Sequence, residues 1–78
     1  MIKSTELPIY FGINERTIRK WLTSKKLNGI KKKGVWYVGE QDLQYFMEKF
    51  PKYTNAVLDI FSDFNLKLNK KRYKSQRY

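Results

Sequence analysis

The 78 residues include no cysteine and no histidine. Disulfide bonds are therefore excluded, together with thiolate or imidazole metal sites and the catalytic arrangements that depend on either side chain. Apolar runs are short, and none approaches the roughly 20 residues that a membrane-spanning helix needs. The first residues also lack the apolar segment of a signal peptide. We expect a cytoplasmic protein that has no metal or other cofactor and no membrane partner.

Acidic residues are few, seven against 17 lysines and arginines, so the formal net charge is +10. A field of that sign on so short a chain attracts polyanions, with nucleic acid the first candidate and an anionic membrane surface the second. The carboxylates are scattered over predicted helix starts and helix surfaces, and no spacing indicates a catalytic pair or a metal cage. The glycines stand singly, without the clustering of a phosphate-binding loop. We therefore expect no enzyme activity.

A tight turn followed by a cationic helix is predicted near the N-terminus. Gly12 can adopt the left-handed backbone conformation that often follows the end of a helix. Asn14 is a strong N-cap for a helix from Glu15 to Thr23. At about 100° per residue, one side of that helix is an apolar stripe and the other is cationic. The stripe consists of Ile18, Trp21 and Leu22, and the other side carries Arg16, Lys20 and Thr23, with Arg19 on the flank. The pattern favours a DNA-reading helix over a solvated surface helix, whose charges are usually of mixed sign.

Periodicity and turn residues predict the other elements. They are a helix over about Thr5 to Phe11 capped by Ser4, a hairpin over Ile30 to Val38, a helix over about Glu40 to Phe50 stopped by Pro51, and an amphipathic helix from Thr54 or Asn55 to about Leu66. Alternation along the second hairpin strand directs Trp36 and Val38 to the core and Val35 and Tyr37 outward. The predicted organisation is a core over residues 1–51, a helix within 52–69 that packs on the core or on a partner, and a flexible basic tail over 70–78.

Five parts of the sequence follow one family pattern. They are residues 11–22 (FGINERTIRKWL), Lys25-Lys26-Leu27, residues 34–38 (GVWYV), Asp42-Leu43 and Phe46. Together they resemble the excisionase-like branch of the MerR winged-helix superfamily. The resemblance covers about residues 3–50. It implies a mainly α fold with a small β-hairpin, a winged helix-turn-helix followed here by the C-terminal amphipathic helix and the basic tail. Pro8 departs from the pattern, and residues 52–78 have no counterpart in the shortest members.

The resemblance also implies which residues contact DNA. In the superfamily, the second helix enters the major groove and the hairpin, called the wing, touches the neighbouring backbone or minor groove. The implied reading-helix residues are Arg16, Thr17, Arg19 and Lys20. The expected wing and loop residues are Lys25, Lys26, Lys31, Lys32, Lys33 and Gly34, and those in the tail are Lys70, Lys71, Arg72 and Lys74.

One scaffold serves several functions in this superfamily, so the fold alone does not choose among them. Only 28 residues follow Phe50, too few for an effector domain. This favours an excisionase that bends duplex DNA and assists the integrase of a mobile element, with self-association on repeated sites. The alternatives are a small MerR-like transcriptional regulator, a terminase-like protein that selects DNA for packaging, and an RNA-binding protein in which Tyr37, Tyr73 and Tyr78 stack on unpaired bases.

Overall fold

Prolines and glycines divide the chain into short elements. The computed structural model describes residues 1–68, so the predicted tail with Lys70, Lys71, Arg72 and Lys74 lies outside the described residues. In chain order the elements are β1 (Ile2–Lys3), a 3-10 helix (Ser4–Glu6), α1 (Pro8–Phe11), α2 (Glu15–Thr23), β2 (Ile30–Lys32), β3 (Val35–Val38), α3 (Glu40–Lys49), a 3-10 helix (Pro51–Tyr53) and α4 (Thr54–Asp63). The described part is mainly helical with a small antiparallel sheet.

The sheet has three strands in the order β1-β3-β2, one more than the predicted hairpin. In β1, Ile2 pairs with Val38 and Lys3 pairs with Tyr37. A strand of two residues is too short to show alternation, so no local pattern indicated it. The hairpin itself is confirmed, with Lys32 and Val35 as the last pair before its turn.

The continuous first helix predicted from Thr5 to Phe11 is wrong. A 3-10 helix ends at Glu6, and α1 begins at Pro8, which occupies the first helical position. Proline is favoured there because its missing N–H would have no partner inside the helix and its φ angle is already helical. The predicted cap at Ser4 is also wrong, because no side-chain hydrogen bond caps the 3-10 helix and Ser4 is buried.

The fourth helix differs from its prediction at both ends. The 3-10 helix at Pro51–Tyr53 runs directly into α4, so Thr54 is already helical and neither it nor Asn55 acts as a cap. The helix ends at Asp63 rather than Leu66. Two residues later, Asn65 adopts a left-handed backbone conformation with a φ of 57°. The Leu66 N–H donates to the Phe61 carbonyl at 2.8 Å, the pattern of a Schellman motif.

One core contains residues from both sides of Pro51. Helix α4 packs against α1 and α3, and its Val57, Ile60 and Phe61 are buried. Its apolar side is therefore covered within the chain, which was one of the two predicted outcomes. The Tyr10 hydroxyl of α1 also donates to Asp63 of α4 at 2.8 Å, and this hydrogen bond is the main reason that the pKa of Tyr10 is raised.

Candidate nucleic-acid interface

The turn between α1 and α2 has the geometry that its sequence predicts. Gly12 adopts a φ of 69°, and its N–H donates to the Pro8 carbonyl at 2.8 Å. Asn14 is extended, and its side-chain oxygen accepts from the Thr17 N–H at 2.9 Å, which confirms the N-cap. Only residues 12–14 separate the two helices, so the turn fixes the direction of α2 relative to α1.

Helix α2 has one buried side and one cationic side. Ile18 is fully buried, and Trp21 and Leu22 are buried beside it. Arg16, Arg19, Lys20 and Thr23 are exposed. The one acidic residue of the helix is Glu15, in the first turn, where the helix dipole favours a negative charge. The exposed side therefore presents two guanidinium groups and an ammonium without an interspersed carboxylate.

Thr17 differs from the other predicted reading residues. It is half-buried, and its hydroxyl donates to the side-chain oxygen of Asn14 at 3.1 Å. The same oxygen accepts from the Thr17 backbone N–H. The side chain thus contributes to the cap of α2, a role that the sequence pattern did not indicate.

The two lysines that follow α2 have different surroundings. Lys25 is exposed and adopts a φ of 70°, with its N–H donating to the Leu22 carbonyl at 3.3 Å. The Lys26 ammonium lies 4.9 Å from the ring centroid of Trp21 and 4.9 Å from that of Phe50. Its charge is therefore attracted to the aromatic faces that it covers. Of this pair, Lys25 is the lysine whose ammonium has no aromatic partner in the described part of the chain.

A tight turn presents the lysines of the hairpin. Lys33 and Gly34 connect the strands with φ angles of 49° and 80°, and two central residues with positive φ are the mark of a type I′ turn. Lys32 pairs with Val35 across the strands, while Lys31 pairs with Trp36 and places its ammonium 5.9 Å from the indole ring. The three lysines that the sequence grouped together thus occupy two sheet faces and the tip.

Gly29 brings the loop after α2 close to the sheet. A Cβ atom at this position would lie 2.7 Å from the Tyr37 carbonyl oxygen and 2.8 Å from the Leu22 side chain. Such distances are too short for any other residue unless the backbone shifts. The glycine therefore allows the loop that connects the cationic helix to the basic hairpin to lie against β3 and against Leu22 of α2. The sequence showed only a glycine in a loop.

Comparison of the chain with protein-family models, with curated proteins and with solved structures gives no match. Within residues 1–68, no helix is both long and apolar enough to cross a membrane. The same residues contain no group of acidic side chains that could hold a metal ion.

Proposed function

We propose that this chain is a sequence-specific duplex-DNA-binding protein with a winged helix-turn-helix, in which α2 is the reading helix. The observation that carries the proposal is α2 itself, a helix packed by one apolar stripe whose exposed side holds Arg16, Arg19 and Lys20. Its nine residues make a rod about 14 Å long, and the major groove of B-DNA, about 12 Å wide, admits one α-helix.

The hairpin supplies a second contact in this proposal. Its turn places Lys33 at the tip, and Lys32 lies beside it on an exposed strand. Lysines act on phosphate groups as point charges and carry little base information, whereas an arginine forms two hydrogen bonds with guanine in a defined geometry. The wing therefore positions the protein on the backbone, while Arg16 and Arg19 read the sequence.

Separate substitutions test whether α2 reads the base sequence and whether the wing contacts the DNA backbone. We expect Arg16→Ala and Arg19→Ala each to lower the ratio of specific to nonspecific affinity. The expected loss in the free-energy difference between the two kinds of binding is about 1–3 kcal/mol. Lys32→Ala removes one charge from the wing and weakens both kinds of binding alike. Lys49→Ala, in the last turn of α3, is the matched control for loss of one charge elsewhere. Affinities are measured by fluorescence anisotropy on a selected site and a scrambled site, and unchanged specificity in both arginine variants refutes the assignment of α2.

We further propose that the protein is an architectural accessory to a mobile-element recombinase. A reading helix and a basic wing on one small unit support binding and bending of DNA, at a bending cost on the order of 1–6 kcal/mol that phosphate contacts offset. Several copies on repeated sites, with an integrase as partner, complete the proposal. Genomic fragments selected by binding should cluster as short repeats beside an integrase attachment site. A lone promoter site or a packaging origin among the selected fragments assigns the protein to transcription control or to DNA packaging instead.

A further inference from the structure

The two faces of the sheet have different surroundings. On one face, Ile2 and Val38 are buried and Trp36 packs against the core. The other face, termed the outer face, carries the side chains that alternate with these. It consists of Lys3, Tyr37 and Ile30 in one row across the strands and Lys32 and Val35 in the next. Residues that pair across antiparallel strands have Cβ atoms about 5 Å apart, so Tyr37 lies directly between Lys3 and Ile30.

The apolar residues of the outer face do not join the core. Ile30 is 43% exposed, and Val35 and Tyr37 are half-buried without belonging to the cluster of core residues and their neighbours. All the charged residues of the three strands are lysines, of which Lys3 and Lys32 belong to this face. The outer face thus has one aromatic ring at its centre, the branched aliphatic side chains of Ile30 and Val35 beside it and lysines on the two outer strands.

We propose that the outer face binds single-stranded nucleic acid, with Tyr37 stacking on an unpaired base and Lys3 and Lys32 contacting phosphates. An aromatic ring that lies among lysines on a sheet is the combination that holds a single strand without sequence preference. A duplex does not use such a platform, because each base face is already covered by its neighbours in the stack. A second copy of the chain is a poor occupant, since both molecules carry a charge of +10. This surface does not include α2, although it shares Lys32 with the wing, and it goes beyond the duplex-binding function proposed above.

Labelled (dT)12 is the probe, with affinity measured by anisotropy at low ionic strength. Tyr37→Ala should weaken binding about 5- to 150-fold, the range expected when one base loses an aromatic partner. Tyr37→Phe keeps the ring and should keep the affinity. Tyr45→Ala removes another exposed tyrosine, 41% exposed on α3, and should leave the affinity unchanged. Equal affinities of the Tyr37→Ala variant and the original protein overturn the proposal.

A duplex of matched length separates this proposal from the one for α2. Arg19→Ala should lower specific duplex affinity while reducing (dT)12 affinity no more than Lys49→Ala does, and Tyr37→Ala should show the reverse preference. If the protein ignores duplex yet binds (dT)12 through Tyr37, the duplex function fails and the outer face stands. Amide chemical-shift mapping of the unaltered protein guards against a misfolded variant. Perturbations from (dT)12 should centre on residues 3, 30 and 37, and perturbations confined to α2 contradict the proposal.

Discussion

At the scale of single residues, Trp21 joins the reading helix to the centre of the core. Its ring centroid lies 5.1 Å from that of Phe46, 5.3 Å from Tyr53 and 5.9 Å from Phe11. Ring pairs in tilted or edge-to-face arrangements at these distances contribute beyond the area that they bury. Trp21 is therefore a packing residue within α2, although it lies between residues that we assign to DNA.

We expect Trp21→Ala to lower the free energy of unfolding by about 3–5 kcal/mol, because a large aromatic side chain is lost from a packed site. Small domains have a total stability of roughly 5–15 kcal/mol, so the variant should be partly unfolded. Urea titration followed by circular dichroism measures the loss. Trp36→Ala is the comparison, with a smaller loss because that ring is only half-buried. A Trp21→Ala variant that keeps its midpoint but loses DNA affinity contradicts the packing role.

The burial of Trp21 could be predicted from its spacing to Ile18 and Leu22, which is a local property of one helix. The position of the Lys26 ammonium over Trp21 and Phe50 could not, because Phe50 comes from the end of α3 and no local pattern links it to the loop. Gly29 is a similar case, since its close neighbours belong to α2 and β3. Burial along one helix is therefore predictable from local spacing, whereas the roles of Lys26 and Gly29 depend on contacts with elements distant in sequence.

At the scale of elements, the boundaries that were predicted correctly are those with their own stop and start signals. Asn14 is the N-cap of α2, which begins at Glu15, and Pro51 lies two residues after Lys49, the last residue of α3. The missed strand β1 depends on pairing with β3, more than thirty residues later, and such a partner leaves no trace in two residues of sequence. The turn at Lys33-Gly34 shows an intermediate case, in which the glycine indicated a turn but the positive φ of the lysine did not follow from its type.

Replacing Lys33 with asparagine separates the two contributions of the hairpin tip. Asn-Gly is the preferred pair for a type I′ turn, so we expect Lys33→Asn to keep or raise the melting temperature. The same change removes a wing charge and should weaken duplex binding about equally for specific and scrambled sequences. Lys33→Arg, which retains the charge, is the control for binding. Lower affinity for one sequence only, or no change in affinity, contradicts the role of the wing.

At the scale of the whole molecule, three of the seven acidic residues lie around Tyr10, in elements other than those of the proposed interface. Glu6, Asp59 and Asp63 lie close enough to Tyr10 that their negative charge adds to the increase in its pKa, after the hydrogen bond to Asp63 and burial. These acids therefore share the side of the molecule formed by α1 and α4. The exposed basic residues of α2, the following loop and the hairpin lie in other elements. On a chain with a net charge of +10, these exposed cations add to the attraction of a polyanion toward the proposed interface.

The number of cations in the proposed interface predicts how duplex affinity responds to salt. Eight exposed cations belong to the predicted interface among residues 1–68, and the ammonium groups of two, Lys26 and Lys31, lie over aromatic rings. The other six are Arg16, Arg19, Lys20, Lys25, Lys32 and Lys33. If each neutralises one phosphate, the logarithm of the affinity should fall with the logarithm of salt concentration at a slope of about −5, and steeper if the basic residues 70–78 also make contacts. Affinity for a fixed duplex is measured from 50 to 200 mM salt, roughly the range over which six contacts weaken binding by about 1,000-fold.

Lys33→Asn should make the slope shallower by about 0.9, whereas Lys49→Ala should leave it unchanged because α3 lies outside the proposed interface. A slope shallower than about −2 means that these cations do not meet phosphates together, and the assignment of α2 and the hairpin to one DNA-binding surface then fails.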